Sequence, residues 1–125
     1  MTDRVRRIAP EDLDEATGTP GIVRKVAHET TGYWFGHATA EAETMSGWHH
    51  HGQNTTLGYV LKGNLRFEFG PGGADSLDVS AGDYFVVPAG TVHREGNATD
   101  EPGEAVIVRV GEGPPVFPAD GPDPA

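Results

Sequence analysis

Turn-forming residues cut this chain into short pieces. Its 125 residues include 18 Gly and 10 Pro, and both are scattered between short apolar runs. Many short runs with frequent turn formers favour an all-β sandwich or barrel over a helical bundle. A chain of this length encloses one hydrophobic core and is too short for two independent ones.

The runs themselves alternate as strands do. Leu65, Phe67 and Phe69 alternate with Arg66 and Glu68, the pattern of a half-buried strand. Thr31 to Ala40 puts Tyr33, Phe35, His37 and Thr39 on one face and Trp34, Gly36, Ala38 and Ala40 on the other. Lys62-Gly63-Asn64 is a hairpin signal after the run Thr56 to Leu61. With Ile22 to His28, Trp48 to His51, Ser76 to Val79, Tyr84 to Val87, Val92 to Glu95 and Ala105 to Val110, about nine strands are expected. Residues 1–20 read as a polar arm, in which Pro10 to Ala16 suits one helical turn with Pro at its start. The barrel is expected over 21–112. The stretch 113–125 is a tail rich in Gly, Pro and acids, in which Val116 and Phe117 serve as anchors before a disordered end.

Several function classes drop out. The formal net charge is −10, and an acidic surface repels phosphate backbones, so nucleic acid is not an expected partner. There are no cysteines, which removes disulfides, thiolate metal sites and thiol nucleophiles. No stretch approaches the roughly 20 apolar residues of a membrane span. Basic residues near the N-terminus are followed by no apolar segment, so a secretory signal is absent and a cytoplasmic location is expected by default.

Three of the six histidines stand in a row at 49–51. Side chains alternate along a strand, so His49 and His51 share one face and His50 takes the other. Two imidazoles at this spacing can reach one ion roughly 2 Å from each nitrogen. A third ligand must come from another strand, and His93 qualifies because it follows the turn Pro88-Ala89-Gly90. A bulge would let His50 replace one neighbour.

Gly82-Asp83-Tyr84-Phe85-Val86-Val87-Pro88-Ala89-Gly90-Thr91-Val92-His93-Arg94-Glu95-Gly96-Asn97 resembles the second motif of the cupin superfamily. That motif runs Gly, five residues, Pro-x-Gly, two residues, His, three residues, Asn, and every fixed position is filled. Gly47 to Gly63 is similar to the first motif, a His-x-His pair, then a Glu, then a Gly seven positions later. His49, His51 and Gly63 fit, but the Glu position falls on Thr56. The motifs lie 18 residues apart and occur once, covering about two-fifths of the chain. The resemblance therefore implies an antiparallel double-sheet jelly-roll β-barrel holding one divalent transition metal ion through His49, His51 and His93.

With Thr56 in place of the glutamate, three neutral imidazoles leave the full charge on the ion. Such a site favours an anionic, chelating small molecule. Some three-histidine cupins are Fe(II) dioxygenases, so the resemblance points first to iron and an oxidoreductase. Mn, Ni, Cu or Zn also fit, because affinity alone does not select the metal. A non-redox isomerase, cyclase or hydrolase, or a binding module without turnover, is the alternative. Cupins commonly pair, so a homodimer is expected, with the strand around Ile22 to Val26 as the exchanging element.

Other residues are candidates on placement. Glu95 follows His93 by two and so points to the same side, as a general base, a partner for a ligand imidazole, or half of a rim salt bridge. His37 shares a face with Tyr33 and Phe35; if that face lines the pocket, His37 is a second base and the two aromatics contact substrate. Gln53 and Asn54 lie in the loop between the histidine pair and Thr56, where either can approach the ion, Gln53 as a fourth ligand, or orient a bound water; Gln53 and Thr56 are also candidates to contact substrate. Arg109 alternates with Val108 and Val110, either as a clamp for a substrate carboxylate or as a solvent-facing charge.

Overall fold

A computed structural model describes residues 4–114 and 116–123. Among them the strands are β1 (Asp14–Thr19), β2 (Ile22–Glu29), β3 (Tyr33–Ala40), β4 (Thr44–Met45), β5 (His49–His50) and β6 (Thr55–Lys62). β7 (Asn64–Phe69), β8 (Asp75–Ser80), β9 (Tyr84–Val87), β10 (Arg94–Asn97), β11 (Gly103–Val110) and β12 (Phe117–Pro118) complete the set. One sheet has the order β1-β2-β3-β11-β6-β9 and a second β4-β10-β7-β8, while β12 pairs with β5. All these pairings are antiparallel. The result is the expected double-sheet jelly roll.

Alternation decides what lies between the sheets. On β11, Ala105 and Ile107 are buried while Glu104, Val106 and Val108 are only partly covered. On β7, Leu65 and Phe67 turn inward and Arg66 and Glu68 outward. Phe67 meets Phe85 of β9 with ring centroids 4.9 Å apart, which joins the two sheets across the core. Gly58 makes this contact possible, because a Cβ there would sit 2.1 Å from the Phe85 ring. Gly63, at φ 70°, turns the chain from β6 into β7 as its sequence context predicts.

The arm differs from expectation. Only Pro10–Asp12 form a 3-10 turn, and from Asp14 the chain is a strand along β2. β2 would otherwise leave a row of backbone groups without partners, and β1 satisfies them. β2 is consequently an interior strand of the sheet, flanked by β1 and β3, and has no free edge to exchange. Three strands were not anticipated as such: β1, the two-residue β4, and β12 in the tail. In the tail, Phe117 stacks on His50 with ring centroids 5.0 Å apart, so its anchoring role holds. Pro115, Pro124 and Ala125 lie outside the described residues, and with them the disordered end expected of the tail. No helix among the described residues is long and apolar enough to cross a membrane.

Candidate metal centre

β5 delivers the histidine pair to the barrel interior. His49 and the adjoining His51 are buried, while His50 faces the other way, its ring lying flat on Phe117. His93 stands opposite His49 in an antiparallel bridge, and the two residues exchange both backbone hydrogen bonds, at 2.9 Å each. Residues so paired put their side chains next to each other. The three rings converge, with centroids 4.5 Å apart for His49 and His93 and 5.0 Å for each pair with His51.

Backbone carbonyls fix two of the rings. His49 Nδ1 donates to Gly47 O at 2.8 Å and His93 Nδ1 to Thr91 O at 2.9 Å. A carbonyl only accepts, so the proton sits on Nδ1 and each Nε2 presents a lone pair inward. Both Nε2 atoms are buried without a hydrogen-bond partner. A buried polar atom left this way costs about 1–3 kcal/mol, which a cation would recover. Burial lowers the His93 pKa, keeping the ring neutral as ligation requires.

The fourth group is Glu95. Its carboxylate joins His49, His51 and His93 in a cluster whose ligand atoms lie within 4.8 Å of one another. Donors about 2.0–2.2 Å from one ion are separated by up to roughly 4.4 Å, so small side-chain shifts close the set. Glu95 Oε1 lies 3.4 Å from His49 Nε2 and 3.3 Å from Arg24 Nη2. Burial alone would raise the Glu95 pKa. The facing His49 and His93 rings and the Arg24 guanidinium outweigh it and hold the carboxyl well below the usual range. Ser46 fixes the backbone, its Oγ accepting from Glu95 N at 3.0 Å.

A carboxylate is thus present although β6 lacks one. Thr56 occupies the first motif's glutamate position, is buried, and leaves its Oγ1 without a partner. Glu95 places a carboxylate in the cluster from β10, two residues beyond His93, so the groups that could hold an ion are three imidazoles and one carboxylate, where the sequence reading counted the imidazoles alone. It also makes the arginine salt bridge that was one of its alternatives.

Other candidates separate by face. Tyr33, Phe35 and His37 are on the outer surface of β3, since the inner surface belongs to Trp34, Gly36, Ala38 and Ala40. His37 Nε2 sits 3.1 Å from Glu104 Oε1, away from the histidine cluster. The alternation is as expected, but the condition that the Tyr33, Phe35 and His37 face lines the pocket is not met: the Trp34 ring lies inward over Gly36, where a Cβ would come within 2.6 Å of it. Gln53 is exposed and outside the cluster. Its neighbour Asn54 is buried and braces the loop, donating through Nδ2 to His51 O at 3.1 Å. Arg109 is buried with its guanidinium over the Trp34 ring, 5.4 Å from the centroid. Arg24, buried on β2, was missed. The signal was there: Arg24 sits on the parity of Ile22 and Val26, where an inward apolar residue is expected.

The family model for the cupin domain matches residues 36–109. The chain belongs to the cupin family. No curated protein matches this cupin. Among solved structures it is similar to a conserved protein with a double-stranded β-helix domain from Klebsiella pneumoniae, at TM-score 0.71 and 21% identity over 94% of this chain and 98% of that one. It is also similar to the polyketide cyclase RemF from Streptomyces resistomycificus, at TM-score 0.73 and 18% identity over 95% and 86%. A third similar structure is the oxalate decarboxylase of Bacillus subtilis, described for its Mn(II) centres, at TM-score 0.69 and 20% identity over 84% of this chain but 30% of that one. At these identities the likeness is one of fold.

Proposed function

We propose that this cupin holds one divalent transition metal ion through His49, His51, His93 and Glu95 and acts on a small anionic molecule as an oxidoreductase of the iron-dependent dioxygenase kind. The observation that carries the proposal is the pair of buried Nε2 atoms on His49 and His93, each tautomerically set and without a partner. When bound, the ion supplies Lewis acidity and, if it is iron, one-electron chemistry with O₂. Imidazoles combined with a carboxylate are a donor set that suits non-haem iron. The chain's own groups hold and orient: Gly47 and Thr91 carbonyls aim two rings, and Arg24 fixes the Glu95 carboxylate.

A second reading has a specific observation behind it. Arg24 holds Glu95 off to one side, where the carboxylate can take or return a proton on a bound substrate without redox chemistry. One of the similar structures is named as a polyketide cyclase.

Elemental analysis of untagged protein, followed by oxygen uptake with a panel of catechols and 1,3-dicarbonyl acids, separates the two. Iron with substrate-dependent uptake is the expected result. Zinc without uptake overturns the redox assignment in favour of the second. Failure to take up any divalent ion on reconstitution ends both.

The homodimer belongs to the same proposal, but through a face instead of an edge. Phe35, Val108, Leu57 and Val86 are register partners on four adjacent strands, and all but Val108 are exposed. Tyr84 and Val110 extend this apolar outer surface. Two copies packed about a two-fold axis cover it with its own complement. Sedimentation is expected to give a dimer that Leu57→Glu converts to monomer; a wild-type monomer at all concentrations overturns this.

A further inference from the structure

Two buried polar groups with no partner face the same space. Thr56 on β6 and Arg109 on β11 are register partners, both point inward, and Thr56 Oγ1 and Arg109 Nε are each buried without a hydrogen bond. Isolated buried groups of this sort are rare, and a buried donor of a charged group without an acceptor costs more than a neutral one. The one carboxylate nearby, Glu95, is already paired with Arg24 and lies in the histidine cluster. The interior therefore carries the two guanidinium charges of Arg24 and Arg109 against a single carboxylate, within a chain whose net charge is −10. The site lacks one anion.

The space has a defined shape. Arg24, Arg109, Thr56, His51 and Glu95 line an interior cavity of about 30 Å³. That is room for a small polar group such as a carboxylate, not for a whole substrate. Arg24 and Arg109 also line a second, outer cavity of about 580 Å³, together with Val26, Trp34 and Val116 and with Glu15 and Glu29 at its edge. The arginines stand between a small polar chamber beside the histidines and a larger basin with an aromatic wall.

We infer that Arg109 and Thr56 form a carboxylate-binding site, so that the substrate is a carboxylic acid with an apolar or aromatic body. The guanidinium donates to one or both carboxylate oxygens and the Thr56 hydroxyl donates to the other. The body of the molecule lies in the outer basin against Trp34 and Val26. Loss of the glutamate from the first motif acquires a function here: threonine presents a donor where a carboxylate would repel the ligand. The inference rests on the proposed metal centre only for which end of the substrate reacts. The arginine–threonine pair can be tested with or without an ion.

The test is titration calorimetry with benzoate, benzamide and inorganic phosphate, on zinc-loaded and metal-free protein, with zinc content measured separately. Wild type is expected to prefer benzoate over benzamide by roughly tenfold or more, the worth of a charge-assisted hydrogen bond. Arg109→Met should abolish that preference without changing zinc content. Thr56→Val, which preserves shape, should reduce it by a few fold and serves if the arginine variant does not fold. Equal affinity for benzoate and benzamide, a preference that survives Arg109→Met, or one left undiminished by Thr56→Val, overturns the inference. Phosphate binding as tightly as benzoate, and displacing it, overturns the carboxylate assignment. A preference seen on protein that takes up no metal keeps the inference and removes the metal centre instead.

Discussion

Each histidine's role is set by what its second nitrogen touches. The Nδ1 atoms of His49 and His93 donate to carbonyls at 2.8 and 2.9 Å, which aims both Nε2 atoms at a common point. His50 uses its Nδ1 to accept from Gly52 N at 3.1 Å and lays its ring on Phe117. His93→Ala should therefore reduce metal affinity by more than the roughly 10–100-fold lost with an outer-shell partner, while His50→Ala leaves metal content unchanged. Elemental analysis of both variants checks this, and equal losses would mean that the wrong histidine has been assigned to the interior.

At the scale of the element, the smallest strands carry disproportionate responsibility. β5 is two residues long and is held on one side by the His93 bridge and on the other by β12. Phe117 packs on His50 and lies over Gly52, where a Cβ would come within 2.5 Å of its ring. Phe117→Ala should lower the unfolding free energy by about 1–2 kcal/mol, less than a fully buried phenylalanine because the ring is 37% exposed. Urea unfolding measures it.

The outer surface of β7 supplies an acid-sensitive element. Glu68 accepts from Arg66 Nε at 3.0 Å and Arg94 Nε at 2.5 Å, and these bonds hold its carboxyl below the ordinary 4.5. A folded-state pKa below the unfolded one means that the unfolded chain binds the proton more readily as pH drops. The stabilisation is complete above the ordinary value and is lost as pH falls through the lower, folded one. Glu68→Gln should thus show a smaller decline in thermal midpoint than wild type between about pH 7 and about pH 3.

For the whole molecule, the contact that joins the sheets is also the floor of the site. Phe67 meets Phe85 at 4.9 Å and His93 at 6.3 Å between ring centroids. Phe67→Ala should cost about 3–5 kcal/mol, a large share of the roughly 5–15 kcal/mol that holds a domain together. It should also weaken metal retention, because the cavity it leaves lets the His93 ring move. Denaturation with and without added zinc checks both effects.

Local rules were enough for the barrel, for the inward set on β7, and for the trio His49, His51 and His93, but not for β11, where Arg109 is buried and Val110 exposed. Period-two alternation, Gly63 at a turn and the spaced motifs act within a few residues, so they are legible in one dimension. What alternation leaves undetermined is which of two faces is the inner one. On β3 the inner face is that of Trp34 and Ala38, not Tyr33 and His37, because it is the face turned towards the opposing sheet of β4, β10, β7 and β8. Glu95, Arg24, Thr56 and Arg109 come from four strands distant in sequence, and no spacing rule links them. Their convergence, with its charge imbalance and two unpartnered donors, exists only once the sheets close, because closure removes the water that would otherwise satisfy each group separately.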